Sequence, residues 1–148
     1  MTDVVDCAKR SLMMSGIKNK NTKPELLIRS FLHRRGFRYR LHSSKLPGKP
    51  DIVLKKYNAI IFIHGCFWHG HGCRLFKWPK SRSNFWKLKI EYNKQNDRNV
   101  MLKLFKLNYR VCVIWECSIK GASKELLAVF TKLSDWLCSD SKFLEITS

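Results

Sequence analysis

Residues 51–73 read DIVLKKYNAIIFIHGCFWHGHGC, in which two short apolar runs lead directly into a loop of cysteines and histidines. The runs at 51–54 and 59–63 are separated by four residues that are mostly polar, a pattern that predicts a hairpin of two buried strands. The second strand delivers the chain into the loop. This stretch therefore predicts the centre of a sheet and a functional site at its end.

The flanking sequence supplies helices on both sides of this hairpin. Thr22-Lys-Pro-Glu25 matches a capping box, and apolar residues recur at helical spacing until Gly36. Residues 37–41 alternate as a half-buried strand does, 83–107 and 123–138 have helical periodicity, and 109–115 form a further apolar run that ends at Glu116-Cys117. The order helix, three strands, helix, strand, helix predicts an α/β fold with a mixed central sheet flanked by helices.

Length and charge restrict the class of protein. A chain of 148 residues is long enough for one hydrophobic core and too short for two, so we expect an N-terminal arm at 1–21 and a single domain at 22–148. Lysine and arginine number 29 against 11 acidic residues, a net charge of +18, while the 45% hydrophobic content excludes a disordered chain. A folded domain this basic is expected to meet a polyanion: duplex DNA, RNA or an anionic membrane surface.

Targeting signals and cysteine use suggest a compartment. No apolar stretch approaches the roughly 20 residues of a membrane span, and the first residues lack the basic region of a signal peptide. We therefore expect a cytosolic protein whose six cysteines are thiols or metal ligands. Cys7, Cys112 and Cys138 lie in apolar contexts and are expected to fill space.

The remaining cysteines suggest zinc. Cys66, one histidine, Cys73 and Cys117 make a thiolate and imidazole set of the kind that structural zinc sites use. Spacing alone does not choose between His69 and His71 as the imidazole ligand. The simpler alternative is a group of reduced cysteines beside exposed histidines.

Asp51 is a candidate for a second metal, because it begins an apolar strand after a turn and offers oxygen to a cation such as Mg²⁺. The alternative interpretation, favoured when this residue is considered by itself, is an ordinary aspartate that closes a turn. Glu25, His64 and His69 converge on it if the strands pair as predicted. Glu25 has an ordinary explanation as the capping-box carboxylate, and Asp97 as half of a surface ion pair. A carboxylate such as Asp97 also suits an imidazole base that needs orienting.

Aromatic side chains crowd the same region. Phe67 and Trp68 lie in the cysteine and histidine loop, and Trp78, Phe85 and Trp86 follow among lysines. Aromatic residues are usually core. Basic residues interleaved with apolar wedges also suit a protein that opens a base stack, or one that binds single strands.

At these motifs the chain resembles the very short patch repair (Vsr) endonucleases. The resemblance rests on residues 10–14 (RSLMM), 46–51 (LPGKPD), 62–69 (FIHGCFWH) and 113–117 (VIWEC), and it covers nearly the whole chain. It implies a fold related to type II restriction enzymes, a structural Zn²⁺, and Mg²⁺-dependent nicking of double-stranded DNA 5′ of the thymine in T:G mismatches left by deamination of 5-methylcytosine. It also implies a bacterial, nucleoid-associated protein with mismatch-repair and repair-polymerase partners and no membrane contact, and the single domain suggests a monomer.

The resemblance also assigns residues. Asp51 corresponds to the metal-binding carboxylate, and His69, oriented by Asp97, to the base that activates water. The implied zinc ligands are Cys66, His71, Cys73 and Cys117. Glu25 and His64 match further active-site positions. The implied DNA contacts are the aromatic wedge of Phe67, Trp68 and Trp86, Met14 in the arm, and Lys89 and Asn93 on the basic helix.

The chain departs from the family at two places. Ile63 stands where the family has threonine, so a magnesium ligand there is the main-chain carbonyl and any role of the hydroxyl is lost. The loop from His69 to Cys73 is richer in glycine than the family's. The rival interpretation from another class is a non-catalytic zinc-containing module that binds nucleic acid. This interpretation leaves four residues without a role: Asp51, His64, His69 and Asp97.

Overall fold

The computed structural model describes residues 21–120 and 123–148. Met14, Cys7 and nearly all of the predicted arm lie outside these residues. The elements in chain order are α1 (Lys23–Arg34), β1 (Arg40–Leu41), β2 (Ile52–Leu54), a 3₁₀ turn (Lys55–Tyr57), β3 (Ala59–His64), α2 (Ser83–Lys106), β4 (Arg110–Trp115), α3 (Glu116–Ile119), α4 (Ser123–Leu137) and β5 (Phe143–Ile146).

The five strands form one mixed sheet in the order β1-β2-β3-β4-β5. β2 and β3 pair antiparallel with Ile52 opposite Ile61, which confirms the predicted hairpin. β4 lies parallel to β3, and β5 parallel to β4. The carboxyl ends of β3 and β4 therefore lie side by side at the same end of the sheet, next to the start of β2.

Helices cover both faces of the sheet, as the sequence predicted. On one face α1 and α4 pack through buried residues such as Ile28, Leu32 and Leu133, and the rings of Phe31 and Phe130 stack with centroids 4.4 Å apart. On the other face α2 contributes Leu104 to a core shared with β3 and β4. These two cores hold the sheet rigid, which fixes the positions of the residues at its ends.

Helix α2 spans 24 residues, of which Ile90 and Leu104 are buried. Most of its surface is therefore exposed, and it carries six of the chain's 29 lysines and arginines. Within residues 21–120 and 123–148, no helix has the combination of length and apolar character that crossing a membrane requires.

The helix ends follow the predicted signals. The Thr22 hydroxyl accepts a hydrogen bond from the main-chain N–H of Glu25 at 3.4 Å, and α1 ends just before Gly36. Asn108 has a φ of 66°, in the left-handed region, and stops α2 before β4. Local sequence therefore sets these boundaries.

Three features differ from the predictions. β1 is two exposed residues long, because it is the edge strand of the sheet and the half-buried residues before it pack outside the ladder. β5 was not predicted, since two of its four residues are exposed and its pairing is entirely non-local. Cys112 is buried as expected, but Cys138 is exposed, so the prediction that it fills space was wrong.

Candidate active site and metal centre

Asp51 stands one residue before β2 and reaches the neighbouring strand. Its Oδ2 accepts a hydrogen bond from the main-chain N–H of Ile63 at 2.8 Å. A cleft of about 240 Å³ contains Asp51 together with His64, His69 and Asp97. The convergence that depended on the pairing of β2 with β3 is thus present in the structure.

The environment of Asp51 opposes its ionisation. Burial raises the pKa of Asp51 to about 6, and the Glu25 carboxylate adds to the rise. The Ile63 N–H and the imidazoles of His42 and His69 lower the pKa in part. A carboxylate held in this way is favoured in its charged form by a cation placed beside it.

His69 is held by a carboxylate. Its Nδ1 lies 2.6 Å from Asp97 Oδ2, so Asp97 pairs with an imidazole and not with a surface lysine. This contact fixes the ring orientation and leaves Nε2 as the second nitrogen. The pairing is the one that a histidine acting as a proton acceptor requires.

His64 lies flat against His69. The two rings stack with centroids 3.8 Å apart and an interplanar angle of 6°. Burial, with a smaller contribution from His69, lowers the pKa of His64 well below its usual value. Its Nδ1 is buried without a hydrogen-bond partner among the described residues. His64 is therefore a neutral wall of the cleft.

A second imidazole–carboxylate pair lies on the other side of Asp51. His42 Nε2 forms a hydrogen bond with Glu25 Oε1, which also accepts from Arg29 Nη2 at 3.0 Å. The candidate ligand atoms of Glu25, His42 and Asp51 all lie within 4.8 Å of one another. The Glu25 carboxylate thus contacts the site as well as α1, which goes beyond the capping-box explanation.

His42 was missed by sequence reasoning. Its backbone has a φ of 46°, and its N–H donates to the Asp51 carbonyl at 3.1 Å. The available signal was its position just after the strand that pairs with β2, next to the predicted site. A lone histidine in a basic stretch gives little other indication.

A separate group of thiols and one imidazole lies beyond the ends of β3 and β4. The ligand atoms of Cys66, His71, Cys73 and Cys117 all lie within 4.8 Å of one another. The structure therefore brings His71 to the thiols and His69 to Asp97, a choice that spacing left open. Three thiols and one imidazole are a donor set that suits tetrahedral zinc.

Gly70 separates the two histidines sterically. It has a φ of +63°, and a Cβ there would lie 2.4 Å from Lys94 Cε and 2.6 Å from Ile90 Cγ2 on α2. Only glycine allows the loop to approach α2 so closely. This close turn sends His69 toward the cleft and His71 toward the thiols.

The thiols have different proton affinities. Burial raises the pKa of Cys66 to about 12. Burial also acts to raise the pKa of Cys117, but hydrogen bonds with Ser148 and Thr147 outweigh it and lower the pKa to about 7. One thiolate is thus accessible near neutral pH, and thiolates are the form that binds metal.

His71 is positioned from two directions. Its ring stacks on Trp115 with centroids 4.1 Å apart, and its Nε2 lies 3.1 Å from the Thr147 hydroxyl. Its Nδ1 faces Cys117 Sγ at 3.6 Å. Thr147 and Trp115 were not among the predicted site residues, because β5 was not predicted and Trp115 was read as the end of a core strand. The Trp115 ring also meets the His64 ring edge to face, with centroids 5.2 Å apart. Trp115 therefore lies between the active-site cleft and the group of thiols.

The predicted wedge residues form one aromatic cluster. Phe67 contacts Trp68 and Trp86 with centroids 5.2 Å away in each case, and Trp68 lies 5.8 Å from Trp86. Asn93 Nδ2 donates to the Trp68 carbonyl at 2.8 Å, which ties the cluster to α2. Lys89 is exposed on the same helix. Phe67, Trp68 and Trp86 remain partly exposed, so the cluster presents apolar surface beside the cleft.

Comparison with known proteins identifies the family. Residues 2–75 match the family described as DNA mismatch endonuclease Vsr. The chain is 40% identical over 147 residues to the DNA mismatch endonuclease Vsr of Escherichia coli K12, covering 99% of this chain and 94% of that protein. It is 48% identical over 121 residues to the type II nicking enzyme V.NmeAIP of Neisseria meningitidis serogroup A, covering 82% and 86% of the two chains. The type II nicking enzyme V.XorIIP of Xanthomonas oryzae is 45% identical over 119 residues, covering 80% and 88%. The chain therefore belongs to the DNA mismatch endonuclease Vsr family, and it is a DNA endonuclease.

Proposed function

We propose that this protein nicks one strand of duplex DNA on the 5′ side of the thymine in a T:G mismatch, the lesion left when 5-methylcytosine deaminates. The observation that carries the proposal is the shared cleft, in which Asp51 and the His69–Asp97 pair face the same space. A phosphodiester bound there meets a proton acceptor and a metal-binding carboxylate at once.

In this mechanism His69 is the general base. Asp97 holds Nδ1, so Nε2 accepts a proton from water as the water oxygen bonds to phosphorus and the bond to the leaving oxygen breaks. The leaving oxygen takes its proton from a second water molecule. His64 keeps the His69 ring in its plane by stacking against it. Glu25, held by Arg29, supports the opposite side of Asp51 together with His42.

Asp51 and the main-chain carbonyl of Ile63 are the groups we assign to Mg²⁺. The chemistry of the site suits this, because burial makes the Asp51 carboxylate costly to ionise without a neighbouring cation. Mg²⁺, when bound, supplies positive charge that offsets the charge developing on the phosphate. Replacement of threonine by Ile63 leaves a main-chain ligand available.

Cys66, His71, Cys73 and Cys117 are the ligands that we assign to a structural Zn²⁺. The four-donor set leaves no open position for a reacting water, as expected of a structural site. A closed metal site here would stiffen the loop that carries both His69 and the aromatic cluster. We propose a restriction-endonuclease-like core for the surrounding sheet, on the basis of family membership.

DNA recognition is assigned to the aromatic cluster and the basic surface. Phe67, Trp68 and Trp86 act as a wedge that enters the stack beside the mismatch, where a wobble pair costs less to unstack than a Watson–Crick pair. Lys89 contacts the backbone, and Met14 enters from the arm at 1–21. Asn93 acts on DNA through Trp68, because its amide is bonded to the Trp68 carbonyl.

The lesion suggests the setting of this activity. Because a T:G mismatch is asymmetric, one protein molecule is enough to act on it, and we propose a monomer. Since the substrate is chromosomal DNA, the proposed location is the nucleoid in the bacterial cytoplasm. Mismatch-repair proteins and a repair polymerase are the proposed partners, since a nick needs resynthesis.

A nicking assay tests the proposed function directly. Duplexes that carry T:G or C:G at one position, labelled on either strand, are incubated with and without Mg²⁺. We expect Mg²⁺-dependent cleavage of the thymine strand of the T:G duplex alone. Binding without cleavage in both conditions would favour the non-catalytic zinc-containing module instead.

A further inference from the structure

A second concavity lies apart from the active-site cleft. It has a volume of about 370 Å³ and is lined by the cations Arg38, Arg40, Lys55 and Lys56 and by aromatic rings that include Phe37 and Tyr57. Among residues 21–120 and 123–148, no acidic residue lines it. We call this feature the basic pocket. Its charge and volume suit a phosphate-bearing ligand.

The basic pocket lies at the edge of the sheet formed by β1 and β2, and Asp51 stands just before β2. Arg40 is the cross-strand partner of Val53, and both line the pocket. Val53 is two residues beyond Asp51, so the two residues lie roughly 7 Å apart along the strand direction. A rod-shaped ligand that is seated at Asp51 and lies along this edge of the sheet therefore extends toward the pocket.

The pocket is formed before any ligand arrives. The turn that carries Lys55 and Lys56 is clamped by Arg110, whose Nε and Nη2 donate to the Tyr57 carbonyl at 3.1 and 3.0 Å. The rings of Phe37 and Tyr57 meet edge to face at 5.5 Å. Preformed sites avoid the entropy cost of ordering their side-chain supports on binding.

None of the four cations of the pocket forms an ion pair within the described part of the chain. The ion pairs there use Arg29, Arg98, Lys120 and two histidines. All four pocket cations are exposed. Four like charges gathered in one pocket repel one another, and a bound polyanion relieves that repulsion.

We propose that the basic pocket binds backbone phosphates of the substrate duplex a few nucleotides from the cut. This inference rests on the proposed function for the position of the cut, but not for the pocket's affinity for phosphate. Each strand carries a phosphate about every 3.4 Å of helix axis, so a duplex seated at Asp51 carries several phosphates toward the pocket. The contact positions the duplex and is independent of base sequence.

The test compares two variants with matched losses of charge. Arg38→Gln with Lys56→Gln removes two pocket charges, and Lys132→Gln with Lys142→Gln removes two exposed charges from α4 and from the segment before β5. Binding of a long T:G duplex is measured without Mg²⁺ over a range of salt concentrations. We expect the pocket variant to lower the slope of log affinity against log salt by about one unit per charge, and the control variant to change it little.

Truncated duplexes locate the contact. The defect of the pocket variant should disappear on the duplex shortened on one side of the mismatch and persist on the duplex shortened on the other. Equal slopes for the two variants, or a defect that survives both truncations, would overturn the proposal. Failure of the wild-type protein to nick would contradict the proposed function, while the salt slopes would still report on the pocket.

Discussion

The imidazole rings of His64 and His69 are nearly parallel, 6° apart in plane, with centroids 3.8 Å apart. One ring is kept neutral by burial, and the other is bonded to Asp97. A protonated His69 is therefore not opposed by a second imidazolium at van der Waals distance. The stack therefore lets His69 take up the proton of the attacking water while His64 fixes the plane of its ring.

This relationship predicts different effects for two replacements of His64. Phenylalanine keeps a flat ring against His69, whereas alanine removes it and lets His69 tilt. We expect His64→Ala to lower the single-turnover nicking rate by roughly 10²-fold, the cost of a misplaced catalytic group, and His64→Phe to lower it much less. Equal losses in the two variants would show that His64 acts through its nitrogens.

The raised pKa of Asp51 predicts a pH-dependent gain in stability for Asp51→Asn. Since the folded-state pKa of about 6 lies above the usual 3.8, the aspartate contributes most stability below pH 3.8 and loses it as the pH rises through 6. Asparagine carries no charge at any pH. Without divalent metal, we expect the variant to match the wild type near pH 4 and to exceed it at pH 8 by up to about 3 kcal/mol. Thermal unfolding at the two pH values measures this difference.

Addition of Mg²⁺ provides the control for that experiment. A cation that binds the folded wild type should raise its Tm at pH 8 and have less effect on Asp51→Asn. A variant that is less stable than the wild type at pH 8 would contradict the assigned cause of the pKa shift.

Thr147 is expected to strengthen metal binding at the thiol site. Its hydroxyl lies 3.1 Å from His71 Nε2 and can hold the tautomer that presents Nδ1 to the metal. We expect the Thr147→Val variant to bind zinc about tenfold more weakly than the wild type, as measured by competition with a chelator. The Thr147→Ser variant should keep the wild-type zinc affinity. Zinc release is followed with a colorimetric indicator. The same affinity in the valine and serine variants would rule out this role.

Trp68 is expected to discriminate mismatched from paired DNA. Loss of one stacking ring costs on the order of tenfold in affinity where the ring meets a base. Trp68→Ala should therefore reduce the ratio of T:G to C:G binding by about tenfold, as measured by competition. The matched control is Trp78→Ala, which removes an aromatic ring that is 50% exposed and lies outside the proposed wedge. An equal change in the two variants would show a general loss of apolar surface.

Much of the fold was predictable because its signals are local. The capping residue Thr22, the left-handed Asn108 and the apolar runs of β2 and β3 each act within a few residues. β5 could not be predicted in this way, since its pairing with β4 supplies most of what makes Phe143–Ile146 a strand. The exposure of Cys138 likewise depends on how α4 docks.

The sequence predicted most residues of the site, but it did not predict which of them contact one another. The motifs identified Asp51 and the loop from Cys66 to Cys73, but spacing could not assign His69 and His71 to different clusters. That assignment depends on Gly70 and on its contact with α2. His42 and Thr147 were missed because each reaches the site through strand pairing that no local pattern encodes.

The most direct test of the account is single-turnover nicking of a T:G duplex in Mg²⁺ by the wild type and by Asp51→Ala, with binding to the same duplex measured in parallel without metal. We predict that Asp51→Ala binds the mismatch with nearly wild-type affinity while its nicking rate falls by about 10³-fold or more. Nicking at a rate comparable to the wild type would contradict the account, because the cleft would then hydrolyse DNA without its metal-binding carboxylate.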